Sequence, residues 1–137
     1  MMNMKGEPIV ILLVEDDMAH VEIIRREFEN SRLANRLIWV EDGQAALDYL
    51  YRKGTYNDSI KFPMPNLVLL DLRLPKVDGL EVLKIVKSDQ NLSNIPVVIL
   101  TTSSAEADMV KAYKYYANSY LVKPVDFTQF NKLMNTF

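Results

Sequence analysis

Residues 68–79, VLLDLRLPKVDG, leave this chain few ways to fold. They open with Val68-Leu69-Leu70, an aliphatic run without alternation, which is the pattern of a strand covered on both faces. Asp71 comes next; Pro75 cannot donate to a ladder, and Asp78-Gly79 is a turn or helix-entry pair. Asp71 therefore stands at the carboxyl end of a buried strand, the edge where an open α/β sheet binds its ligands. Taken alone, the carboxylate either caps the next turn or belongs to a site. The other segments decide.

Four further apolar runs read as strands: residues 9–14 (IVILLV), 37–40, 96–100 with Pro96 at the first position, and the short Tyr120-Leu121-Val122. The opening stretch supplies the third strand, residues 66–70. Between them, helical spacing recurs. Val21, Ile24 and Phe28 place a helix over 18–30, and Ala46, Leu47 and Leu50 a second that ends near Gly54, a candidate C-terminal cap. Leu80, Leu83 and Val86 mark a third. Residues 105–117 form a fourth with a weaker pattern, and Phe127, Phe130, Leu133 and Met134 a fifth, with Asp126 as a candidate N-cap. Five strands alternating with five helices predict an α/β fold, a doubly wound parallel sheet. Right-handed crossovers favour the order 2-1-3-4-5. Residues 55–65 read as a loop longer than such connections usually are.

At 137 residues the chain fits a single domain, with residues 1–7 a flexible start. Its formal charge of −2, with basic residues scattered along the chain, argues against direct nucleic-acid binding. The absence of cysteine excludes disulfides, thiolate metal sites and a Cys nucleophile. The apolar run 9–14 is far too short to span a membrane, and residues 1–7 do not read as a signal peptide, so a cytoplasmic protein is expected.

The residues just past the strand ends form a chemically coherent set. Glu15 and Asp16 come after the first strand, Asp71 after the third, Thr101 after the fourth and Lys123 after the fifth. A doubly wound sheet brings all of them to one rim. Neighbouring carboxylates repel unless they share a cation, and ligands that are all oxygen favour a hard ion such as Mg²⁺. With Lys123 as a second positive point and the Thr101 hydroxyl as a donor, the rim suits phosphoryl transfer. Asp71, central in the sheet, is the expected nucleophile.

The motifs ILLVEDD, LLDLRLPKVDG, VILTTSS and YLVKP, in this order, resemble the receiver domain of two-component response regulators along nearly the whole chain. The resemblance implies that Asp71 is the phosphoacceptor, Asp16 a direct Mg²⁺ ligand, Glu15 a metal contact through water, and the Arg73 main-chain carbonyl a further ligand. It also implies that Thr101 and Tyr120 form a switch pair, that Lys123 is the site lysine, and that Lys123-Pro124 is a cis peptide. Glu15 departs from the aspartate common at its position. The length and YRKGTY start of the 55–65 region resemble the single-domain receivers associated with phytochromes. The implied partners are a sensor histidine kinase, of phytochrome type in that subgroup, and a downstream protein or histidine phosphotransfer protein. A homodimer is a further arrangement to test. No output domain is expected.

Phosphate on Asp71 would draw Thr101 toward it and turn Tyr120 inward, remodelling the face built by the fourth helix, fifth strand and fifth helix. Arg73 and Ser103 flank the path of attacking water and are expected to set the lifetime of the acyl phosphate. His20 reads as an exposed residue of the first helix. Two other functions fit the same fold. A flavodoxin-like cofactor binder would want a Ser/Thr/Gly-rich cradle where this chain has acids. An Asp-nucleophile phosphatase would want an acid where it has Arg73.

Overall fold

The computed structural model describes residues 8–135, residue 32 excepted; the expected flexible start, 1–7, and the side chains of Gln129 and Met134 lie outside the described residues. The elements are β1 (Ile9–Val14), α1 (Met18–Glu29), β2 (Asn35–Val40), α2 (Gly43–Leu50), β3 (Leu67–Leu70), α3 (Gly79–Ser88), β4 (Val97–Thr101), α4 (Glu106–Lys114), β5 (Ser119–Val122) and α5 (Phe127–Met134). The five strands pair in parallel in the order β2-β1-β3-β4-β5, as the alternation of strands and helices predicts.

The sheet is covered on both faces. Leu12, Val14, Val68, Leu70, Val97 and Ile99 point to the side of α2, α3 and α4. Their strand neighbours Ile11, Leu13, Leu67, Leu69, Val98 and Leu100 point to α1 and α5, where Val21, Ile24, Phe28 and Phe130 meet them. At roughly 25 cal/mol per Å² of apolar surface, each buried Leu, Ile or Val contributes about 1.5–3 kcal/mol before chain entropy is counted. This explains why the central strands read as unbroken aliphatic runs.

Short polar residues set where the helices begin. The side chains of Asp17, Asp42 and Asp126 accept hydrogen bonds from the backbone N–H groups of Ala19, Ala45 and Thr128. The end of α2 differs from expectation. Arg52 (φ 56°), not Gly54, closes the helix: Arg52 N–H donates to the Tyr49 carbonyl and Lys53 N–H to that of Asp48, a Schellman closure, although Gly54 is left-handed too (φ 61°). Gly54 instead opens a short 3₁₀ turn, Gly54–Asn57.

The region 55–65 is packed by its own aromatics. Tyr56 stacks against Tyr49 and Phe62 at centroid distances of 5.2 and 5.1 Å, and the Tyr49 hydroxyl donates to the Pro63 carbonyl at 2.6 Å. Only Ala112 of α4 is fully buried, while Val110 and Tyr113 are exposed, which accounts for the weak apolar pattern there.

Candidate functional site

Parallel strands all deliver their carboxyl ends to one rim. Asp71 N–H donates to the Val14 carbonyl, Glu15 N–H to that of Val40, and Lys123 N–H to that of Thr101, so each residue that leaves the sheet is tied to the strand beside it. The Trp39 indole N–H donates to the Glu15 carbonyl at 2.7 Å and fixes that turn further. Behind Asp71 the chain folds back tightly: Gly79 N–H donates to the Leu72 carbonyl at 2.8 Å. A side chain on Gly79 would collide with the Asp71 carbonyl and lie 2.6 Å from the Leu72 Cα, so only glycine lets α3 start there.

The expected residues converge. One carboxylate oxygen each from Glu15, Asp16 and Asp71 lie within 4.8 Å of one another. Lys123 Nζ is 3.2 Å from Asp71 Oδ2 and in direct contact with Glu15 Oε1. Thr101 is fully buried, and its hydroxyl oxygen accepts from Ser103 N–H at 3.4 Å. The Lys123-Pro124 peptide is cis, as the resemblance implies.

Tyr120 differs in one respect from the expected switch. Its ring is already buried, and its hydroxyl donates to the Ser103 carbonyl at 2.9 Å, so no inward turn is needed to bury it.

The site's electrostatics separate the two buried acids. Burial raises the Glu15 carboxyl to about 8, with the Asp71 carboxylate adding to the rise and the Lys123 ammonium opposing it. For Asp71 burial also pushes upward, but hydrogen bonds with Glu15 and Thr101 and the Lys123 charge outweigh it and hold the carboxyl below its ordinary value. The pair thus keeps its proton on Glu15 and its negative charge on Asp71. Glu15 Oε2 is buried with no hydrogen-bond partner. A buried carboxyl oxygen without a partner, beside two other carboxylates, is the position a hard divalent cation would satisfy, displacing the Glu15 proton as it binds.

Sequence reading missed two participants. His20 is not a bystander: its Nδ1 lies 2.8 Å from Glu15 Oε1 and 2.9 Å from Lys123 Nζ, with the side chain 31% exposed. Its position in the first turn of the helix after Glu15-Asp16-Asp17 was the available signal. Asp108 is the second: its Oδ2 accepts from Arg73 Nη2 at 2.9 Å and from Ser103 Oγ at 2.6 Å. Nothing in the sequence linked α4 to residues 35 positions earlier.

The fold and rim together define a class: a doubly wound α/β domain with an acid cluster, a buried hydroxyl and a lysine at the carboxyl edge of its sheet. The sequence pattern of the response regulator receiver domain matches residues 11–135, and the chain belongs to that family. It is 49% identical to the probable methanogenesis regulatory protein FilR2 of Methanothrix harundinacea, over 88% of this chain and 76% of that one. It is 44% identical to response regulator Rcp1 of Synechocystis, over 90% and 82% of the two chains. The crystal structure of Mn²⁺-bound Rcp1 superposes with a TM-score of 0.81, covering 94% of this chain and 91% of that one. That of the phosphorylated cyanobacterial phytochrome response regulator RcpA gives 0.82 at 38% identity, covering 94% and 90%. Phytochrome-associated response regulators are thus among its near relatives.

Proposed function

We propose that the chain is a phosphoacceptor: Asp71 takes a phosphoryl group from a histidine kinase, with Mg²⁺ held by Asp16, Asp71 and the Arg73 main-chain carbonyl, and by Glu15 through water. The observation that carries this reading is the placement of Asp71, anionic at the end of β3, 3.2 Å from Lys123 and clustered with two further carboxylates. The Mn²⁺-bound and phosphorylated states of the two similar receivers support it.

When bound, Mg²⁺ would neutralise phosphoryl oxygens. The chain's own residues supply the rest. An Asp71 carboxylate oxygen attacks phosphorus as the bond from phosphorus to the donor's histidine nitrogen breaks, and the nitrogen keeps the electron pair. Lys123, beside Asp71, is placed to bind a phosphoryl oxygen, and Thr101 to donate to another. The domain catalyses only its own loading and unloading.

The donor must lie against the rim. Exposed Met18 and Ile23 on α1 border it, beside a hollow of about 260 Å³ lined by His20, Ile24, Leu100 and Phe127. This offers apolar ground to a kinase, of phytochrome type by the likeness to RcpA. Output would pass by protein contact, as a homodimer, with a downstream target or through phosphorelay, over the face where Val110, Tyr113, Tyr116 and Val122 are exposed.

Intact-mass measurement after incubation with acetyl phosphate tests the reading. One added phosphoryl group is expected with Mg²⁺, and none with chelator or in Asp71→Asn. A phosphorylated Asp71→Asn protein would refute it.

A further inference from the structure

We propose that Asp108 is a positioning residue that prolongs the phosphorylated state, by holding Arg73 and Ser103 together across the approach to Asp71. The proposal rests on the phosphoacceptor reading above and adds a residue from α4 to it.

Arg73 lies two residues beyond Asp71, and its N–H points at Asp71 Oδ1 from 3.4 Å. Ser103 lies two residues beyond Thr101, and its N–H points at Thr101 Oγ1 from 3.4 Å. These two residues border the site on the β3–α3 and β4–α4 connections. Both turn their side chains to one acceptor, Oδ2 of Asp108 in the first turn of α4, at 2.9 Å and 2.6 Å. The Asp108 side chain is only 14% exposed, against 69% for Arg73, so the anchored end of the bridge is the firm one. The single proton of the Ser103 hydroxyl is committed to Asp108, and its oxygen also accepts from Ala105 N–H at 3.3 Å.

In hydrolysis of an aspartyl phosphate, a water oxygen bonds to phosphorus from the side opposite the breaking bond. The Asp71 oxygen leaves with the electron pair, and the water's proton goes with inorganic phosphate. That water enters from solvent, between the two connections. The Arg73–Asp108–Ser103 bridge closes this gap and leaves Ser103 Oγ no free proton to donate to an incoming water. Removing Asp108 undoes both effects, so the two act in the same direction.

The test loads the protein with acetyl phosphate and Mg²⁺, removes the donor by desalting and follows the phosphorylated fraction by intact mass. Asp108→Ala is expected to shorten the half-life about two- to fivefold, a factor of the size that one partly exposed ion pair supports. Arg73→Ala shortens it too, and the double variant decays no faster than the faster single one. Asp108→Glu, which restores the acceptor, recovers most of the wild-type half-life; a general loosening of α4 would not be rescued in this way. Variants that load to the wild-type extent yet decay at the wild-type rate or slower overturn the role of Asp108 alone. A wild-type protein that takes up no phosphoryl group overturns the phosphoacceptor reading itself.

Discussion

Lys123 Nζ lies 3.2 Å from Asp71 Oδ2 although 52 residues separate them in the chain. The pairing follows from two strand ends: β3 and β5 flank β4 and deliver both residues to the same rim. Lys123 is only 9% exposed, and it is the ammonium that faces the Asp71 and Glu15 carboxylates. Lys123→Ala is expected to slow phosphoryl uptake by about 10²-fold, the usual loss when one charge-stabilising donor is removed from a reacting centre. Initial rates of mass gain with excess acetyl phosphate and Mg²⁺ check this, and a rate within twofold of wild type would count against a role for Lys123 in transfer.

Glu15 predicts a pH dependence in chelator. Its folded carboxyl sits near 8 against an ordinary value of 4.5, so the folded chain binds this proton more tightly than the unfolded chain does. The resulting stabilisation is complete below about 4.5 and is lost as pH rises through about 8. The melting temperature should therefore fall between these values. Lys123, Asp71 and His20 face the group and remain in Glu15→Gln, which should flatten the slope; saturating Mg²⁺, which competes with the proton, should flatten it as well. An equal slope in Glu15→Gln assigns the effect elsewhere.

How far the sequence could be read depended on whether information was local. The aliphatic runs of β1, β3 and β4 need only burial on both faces to be recognised, and the residue after each run is fixed by the chain itself. The acids, Thr101 and Lys123 were therefore legible. His20 was not, because its value lies in a contact with Lys123, 103 residues away. The Arg73–Asp108 pair was hidden for the same reason: Arg73 stood out by its place beside Asp71, but Asp108, 35 residues on, looks like an ordinary surface charge in one dimension. The end of α2 misled differently: glycine is the usual left-handed cap and Gly54 is left-handed, yet Arg52, two residues earlier, is left-handed too and closes the helix.

Gly79 sets a steric limit on the loop that follows Asp71. A Cβ there would meet the backbone of Asp71 and Leu72, which cannot move away as a flexible side chain could. Gly79→Ala is expected to cost about 1–3 kcal/mol, as overpacking does. Because the displaced atoms belong to Asp71 itself, phosphoryl uptake should fall along with the denaturant midpoint. A variant that lost stability while keeping its uptake rate would show that the loop yields elsewhere.

The 55–65 region provides the control for these site predictions, since it joins the amino end of β3 while Asp71 lies beyond the carboxyl end. Tyr49 is buried to 1% exposure in α2 and holds the region through its 2.6 Å bond to the Pro63 carbonyl. Tyr49→Phe keeps the ring contacts with Tyr56 and Phe62 and removes only that donor. The Pro63 carbonyl then loses its partner, at a cost of about 1–3 kcal/mol if water does not replace the hydroxyl. Urea denaturation should show the lower midpoint. Trypsin should cut faster after exposed Lys61, because a loosened segment opens more often. Phosphoryl uptake on Asp71 should stay at the wild-type rate; a matching loss of uptake would mean that the loop and the carboxyl rim are coupled through the length of β3.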